Sequence, residues 1–374
     1  IGFSRKDPIL LSPPEILKAR YSPKVKIHPH TVKLSDKLDL TRRYNDLLLS
    51  KPVVKLTELS YHEMIQKKSF LNTAGTEVTQ ETVLVNIFGG IYGKSEDSMQ
   101  QLRIGLGGNE DYSTILNREE DLEKKCAVLE ELVKAEPIKG GVFPVILDPM
   151  EAAVFIHEAF GHLSEADSIQ NHPTFRKEMF LGRELGAQIL NVIDDGSLEG
   201  YPGSYKFDDE GIKARKTYLI KDGKLSGRMH SRETAADFKE EVTGNCRAES
   251  YKFTPIIRMS NIYIDKGTSS FEQMVSGIDD GYYLLEAKGG QTMGNLFSFG
   301  AQYGYKIKNG KLGSMVKDIN MSGELFETLR SISMIGNDLR FSEVGGCGKG
   351  GQIMRKSGKG SPHIKIDRVT IGGK

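Results

Sequence analysis

Tryptophan is absent from this chain, and its three cysteines, Cys126, Cys246 and Cys347, are too few and too scattered for a disulfide framework. That usage suits a reducing cytoplasm and leaves each thiol to be explained singly. No apolar run approaches the ~18 to 20 residues that span a bilayer, and no charged segment followed by an apolar core opens the chain, so membrane and secreted classes are disfavoured. An excess of one charge is missing as well: 51 Lys and Arg offset 50 Asp and Glu, for a net charge of +1. A polyanion would feel no long-range attraction, which argues against constitutive nucleic-acid binding. Low-complexity runs and charge blocks are also lacking. Nor is there an initiator methionine; the chain opens on Ile1-Gly2-Phe3-Ser4 as though inside an element, and its true start is expected to be missing.

What is present describes a globular chain of two or three domains, since 374 residues exceed the usual ~150 per domain. Glycine numbers 41, about 11% against a typical ~7%, with most of the excess beyond residue 265, so the second half should be β-rich. The first half is mixed. Ser12-Pro13-Pro14-Glu15 carries the signals of a helix start. Leu40, Tyr44, Leu47 and Leu48 recur at helical spacing, and Val53 to Tyr61 and Glu77 to Phe88 read as strands around the turn Asn72-Thr73-Ala74-Gly75. Asn117 and Glu120 cap a helix whose stripe Leu122, Cys126, Leu129 and Val133 makes Cys126 an inert core thiol. Pro137 to Gly141 breaks both patterns and marks the main domain boundary, giving domains 1–139 and 140–374. Beyond it come a buried strand over Val142 to Leu147, a helix capped by Asp148, and two hairpins turning at Asp222-Gly223 and Asn309-Gly310. The similarity of those hairpins suggests a weak internal duplication. Helices are expected over Ser269 to Gly277, opened by Ser269 and Glu272, and over Ser322 to Gly336.

The helix after Pro149 runs Ala152-Ala153-Val154-Phe155-Ile156 without a polar break, then reaches His157-Glu158-Ala159-Phe160-Gly161-His162. Polar groups ending a buried helix need partners. Helical His-Glu-x-x-His puts both imidazoles on one face with the glutamate as general base. Here the spacing is one residue longer, and five residues of regular α-helix subtend about 500°, leaving the rings roughly 140° apart. A π-bulge would bring positions i and i+5 back together, and Gly161 makes such a distortion cheaper. A catalytic zinc site needs a third protein ligand. Glu165, Asp167, His172, His230, Cys246 and Cys347 are candidates, and Cys347 leads because its glycine-rich surroundings, Gly345 to Gly351, let backbone and thiolate approach a crowded centre. Lys349 could help hold that thiolate deprotonated. The bland alternative is a pair of core histidines bonded to backbone carbonyls.

The run His157 to His162 followed by Glu165 and Asp167, together with Gly346-Cys347-Gly348-Lys349-Gly350-Gly351-Gln352, resembles the TldD/PmbA metallopeptidase family. Asp194-Asp195-Gly196, Asp208-Asp209-Glu210-Gly211, Arg247 to Tyr251, Arg258-Met259-Ser260-Asn261 and Met334 to Leu339 fall in the family's order. The resemblance implies an α+β fold, with an N-terminal α/β domain and a β-rich C-terminal domain carrying the buried metal-binding helix. It implies zinc held by His157, His162 and Cys347, with Glu158 as catalytic base, as in the TldD-type subunit. It further implies cleavage of small or unfolded peptides in the cytoplasm by a dimer, either with an identical chain or with a PmbA (TldE)-type subunit. Asp167 is a candidate to orient a ligating imidazole, and His230, Arg258 and Asn261 to support the oxyanion. Substrate is expected to add as a β-strand. Two rivals stand beside this reading. Gly89 to Ser95 is similar to a phosphate loop, but the motif's first glycine falls on Phe88. A non-catalytic peptide-binding or scaffolding subunit would keep a structural or vestigial metal site, and a structural one would be closed by four ligands.

Overall fold

A long hairpin sets the architecture of the first half. In this computed structural model, which describes residues 9–94 and 99–372, Val54–Leu71 and Glu77–Lys94 pair antiparallel from Val54↔Gly93 to Leu71↔Glu77. The other edge of Glu77–Lys94 takes Lys18–Tyr21 in parallel and Met99–Asn109 antiparallel. The helices Leu34–Leu49 and Glu119–Leu132 pack their apolar stripes on this sheet, burying Leu40, Tyr44, Leu48, Leu122 and Leu129 with Val83, Ile87, Ile91 and Leu102. Cys126 lies in the same core, where burial pushes its thiol pKa up, as expected of an inert thiol. Gly89 to Lys94 continue a strand and form no phosphate loop; Ser95 lies outside the described residues.

Several expected helix boundaries are corrected. Residues 12–15 form no helix, because tertiary partners take the groups a helix would use: Ser12 N donates to the Arg232 carbonyl, and the Glu15 carbonyl accepts from Thr76. The Glu15 carboxylate pairs with Arg215. Asn117 takes a left-handed φ of 56°, so Arg118 rather than Asn117 occupies the cap position of the following helix. The helix Phe271–Ser276 opens one residue later than expected, on a reciprocal Ser270 and Gln273 pair. Ser322 to Gly336 is not one helix: Leu325–Arg330 is helical, but Asn320–Glu324 and Ile332–Ile335 pair as strands with Ile364–Gly372.

The second half is β-rich and the whole fold α+β, as expected. The strands Asp280–Met293, Gly141–Leu147, Ile364–Gly372, Asn320–Glu324 and Leu296–Lys308 are successive neighbours. Leu296–Lys308 pairs back onto Asp280–Met293, closing them into a ring. A second sheet runs Arg340–Phe341, Gly358–Ser361, Asn261–Ile264, Val192–Asp195, Lys216–Lys221 and Lys224–Leu225. Both expected hairpins form, with positive φ at Asp222, Gly223, Asn309 and Gly310, as type I′ turns require.

The helix Pro149–Ile156 lies between these layers, against Asp280–Met293 on one side and Gly358–Ser361 and Asn261–Ile264 on the other. Asp148 caps it, accepting from Glu151 N at 2.7 Å. Sheets on both sides explain a helix without a polar face: Ala152, Ala153, Phe155 and Ile156 are all buried. Phe155 meets Phe297 and Phe299 edge-on, and a side chain buried this fully contributes about 1.5–3 kcal/mol. That anchorage fixes where the chain emerges at His157. Among the described residues no helix is long and apolar enough to cross a membrane.

Candidate metal centre

At His157 the α-helix stops. Residues His157–Gly161 form a π-turn, followed by the 3-10 turn His162–Ser164. The wider turn places the two imidazoles nearly perpendicular, with ring centroids 5.5 Å apart, where a regular helix would splay them. Gly161 serves this geometry by packing rather than by backbone freedom. Its φ of −54° is ordinary, but a Cβ there would stand 2.2 Å from Met259 Sδ and 2.9 Å from Ile262 Cδ1.

The third donor arrives on a tight hairpin, Cys347–Lys349 paired with Gln352–Met354. Gly350 and Gly351 turn it with φ of 57° and 75°. Gly345 lets the incoming chain pass against Ser357, whose carbonyl oxygen would lie 1.8 Å from any Cβ. The fully buried Arg258 guanidinium donates to the Cys347 carbonyl and so holds the hairpin in place. Cys347 Sγ consequently lies 3.4 Å from His162 Nε2.

One donor atom from each of His157, His162 and Cys347 falls within 4.8 Å of the others. Zinc bonds of about 2.3 Å to sulfur and about 2.0–2.1 Å to nitrogen, at a tetrahedral angle, put the two ligands roughly 3.6 Å apart, close to the separation found. His157 adds a second sign of fit. It is buried, neither ring nitrogen has a hydrogen-bond partner among the described residues, and burial holds its pKa well below the ordinary value, which keeps the ring neutral as a ligand must be. The donor set of two imidazoles and a thiolate therefore suits zinc.

Around this centre the carboxylates divide their tasks. Glu158 is one-third exposed and sits between the rings, its oxygens 3.9 Å from His157 Nε2 and 3.8 Å from His162 Nε2. Its carbonyl accepts from Thr292 Oγ1 at 3.2 Å. The carboxylate behind the second imidazole is Glu165, not Asp167: Glu165 Oε2 lies 2.9 Å from His162 Nδ1, leaving Nε2 free to face the thiolate. Burial works against charge on His162, but its bonds to Cys347 and Glu165 outweigh it and push the pKa up to about 10. Surroundings that favour positive charge so strongly also suit a cation. Lys349 holds Glu165 at 3.0 Å and Asp167 at 2.6 Å and donates to the Ile257 carbonyl, so its amine anchors carboxylates rather than the Cys347 thiolate.

The remaining candidates lie elsewhere. His230 is buried between Thr234 and Glu240, each at 3.0 Å. Asn261 bonds Gly203 N, the Asp195 carbonyl and Ser204 in a turn network. Arg258 donates to the Cys347 and Gln352 carbonyls of the hairpin, and its charge is felt at His157. His172 is exposed at the start of a short helix, and Cys246 is buried beside Asp208, where burial raises its pKa. The orienting role of Glu165 escaped sequence reasoning; its signal was the three-residue step from His162.

The family model of the PmbA/TldA metallopeptidase C-terminal domain matches residues 140–373. A metalloprotease of Synechocystis sp. is 36% identical over 369 residues, covering 98% of this chain and 80% of that protein. A protein of Saccharolobus solfataricus named zinc metalloprotease TldD homolog is 37% identical over 243 residues, 64% of this chain and 54% of its own length. The crystal structure of TldE from Thermococcus kodakarensis shares the fold with a TM-score of 0.77 and 20% identity, covering 99% of this chain and 81% of that one.

Proposed function

We propose that this chain, which belongs to the PmbA/TldD metallopeptidase family, is a zinc-dependent peptidase acting in the cytoplasm on small or unfolded peptides. The observation that carries the reading is the convergence of His157, His162 and Cys347 donors with the Glu158 carboxylate between the two rings. The cluster among the described residues has three donors, the number of a catalytic zinc site, whereas a structural site would use four. That count disfavours a subunit whose metal is structural.

Zinc held there supplies a Lewis acid that polarises a peptide carbonyl and acidifies water. The chain's own groups do the rest. Glu158, partly open to solvent, takes the proton from the attacking water and passes it to the leaving amine. Glu165 fixes the His162 tautomer and ring angle, and Lys349 fixes Glu165. The hydrophobic helix and its two sheets hold the imidazoles against tilting. Substrate binds extended. The segment Ala287–Met293 carries no second strand on its outer edge among the described residues, and Thr292 ties it to Glu158, so a peptide pairing there would run past the base. We place the catalytic domain at 140–374 and an N-terminal α/β domain at 1–139, with a second copy or a PmbA (TldE)-type subunit as partner.

Glu158→Gln tests the mechanism. Metal content should match the wild type while hydrolysis of an unfolded peptide falls by about 10²–10⁴. A metal-replete variant that cuts at the wild-type rate would refute the role of Glu158.

A further inference from the structure

Lysines near the centre are paired, with one exception. Lys349 is held by Glu165 and Asp167, and Lys356 reaches the Val83 carbonyl and Glu110. Lys359 on the strand Gly358–Ser361 has neither a hydrogen bond nor an ion pair for its ammonium among the described residues. Its direction follows from register. Lys359 is the lateral partner of Ile262 in a parallel pair, and laterally paired residues point to one face of a sheet. Ile262 projects against Gly161, so that face is the one covered by the π-turn. Glu158 and Cys347 favour its charge, Arg103 opposes it, and its positive charge is felt in turn by His157. Withdrawal from water lowers its pKa. Lys359 is half-buried, and a partly desolvated ammonium without a partner is costly, a cost that structural lysines avoid by taking one. Lys359 takes none, while facing the reacting groups.

We propose that Lys359 is a further catalytic residue, whose ammonium donates to the carbonyl oxygen of the scissile peptide as that oxygen becomes negative. The inference rests on the peptidase reading. As the water oxygen bonds to the carbonyl carbon, its proton passes to Glu158 and the carbonyl π-electrons move onto oxygen, where Lys359 stabilises them. Collapse restores the carbonyl, breaks the carbon–nitrogen bond, and sends the proton from Glu158 to the leaving nitrogen. Lys359 gains and loses no covalent bond in this sequence.

The test compares wild type, Lys359→Met and Lys359→Arg, each loaded with zinc. For Lys359→Met, kcat should fall by about 10²–10³, as for other lost oxyanion donors, with KM within about threefold of wild type. Lys359→Arg should recover part of the loss. Binding gives a second readout: a phosphinic peptide, which mimics the tetrahedral geometry, should bind Lys359→Met at least about tenfold more weakly. The uncut peptide, measured in a Glu158→Gln background, should bind with unchanged affinity. Equal kcat in wild type and Lys359→Met would overturn the inference and leave the peptidase reading standing. A loss that tracks lost zinc or a lowered melting temperature in both variants would overturn it in favour of a structural lysine. A zinc-replete wild type that cuts no peptide would overturn the peptidase reading and this inference with it.

Discussion

Replacing Glu165 with Gln probes the orientation of His162 without emptying space. The native Oε2 serves two partners, His162 Nδ1 at 2.9 Å and Lys349 Nζ at 3.0 Å, in a residue wholly removed from solvent. Gln keeps an acceptor for the ring nitrogen but loses the charge that makes the imidazole a better donor. Carboxylates of this kind typically account for 10- to 100-fold in metal affinity, or about 1.4–2.7 kcal/mol. Glu165→Gln should fall at the lower end, and Glu165→Ala, which also frees the ring, at the upper end. Asp167→Asn should change affinity by less than about threefold, because Asp167 contacts Lys349 and no imidazole. The assay is zinc competition against a chromophoric chelator, with the melting temperature of each apo variant as the control for folding. Folded Glu165→Gln and Glu165→Ala proteins that bind zinc as tightly as wild type would refute the argument. An Asp167→Asn variant that loses more affinity than Glu165→Gln would refute it equally.

Two further outcomes follow from burial. Gly161→Ala drives a methyl group into Met259 and Ile262, so overpacking should cost about 1–3 kcal/mol and weaken metal binding; denaturant unfolding and metal titration check both effects. Glu151 is buried with no hydrogen-bond partner for either oxygen among the described residues, and burial, then the Asp148 charge, raises its pKa well above the ordinary value. The folded state therefore keeps a proton that the unfolded chain releases above about pH 4.3, so stability falls as pH rises from there toward the raised folded value. Glu151→Gln should flatten that decline in urea unfolding between pH 5 and 8, and identical slopes would contradict the assignment.

Legibility in the sequence followed the range of the interactions. The Asn-Gly and Asp-Gly hairpins, the Cys126 stripe and the Asp148 cap are local devices, and each forms as its residues suggest. The six-residue span from His157 to His162, with a glycine inside it, carried enough geometry to suggest a π-turn. Cys347 could be named a candidate because its glycines signal close approach, though crowding falls on Gly345 while Gly348 faces open space. What failed depended on distant partners. The Ser12 cap signals were overridden by Arg232, Thr76 and Arg215, contacts from far along the chain. Glu165 and Asp167 differ by two positions; Glu165, with extended backbone, reaches back to His162, while Asp167 pairs with Lys349. Lys359 depends on a strand register with Ile262, and the ring closure of Leu296–Lys308 onto Asp280–Met293 likewise joins strands by pairing that composition does not encode.

The most direct test is the cobalt-substituted protein, wild type against Cys347→Ser. The account expects one metal ion per wild-type chain, with a thiolate-to-cobalt charge-transfer band that disappears in the variant while both imidazoles remain coordinated. A wild-type protein that binds cobalt without that band, or a Cys347→Ser variant that keeps it, would contradict the three-ligand centre.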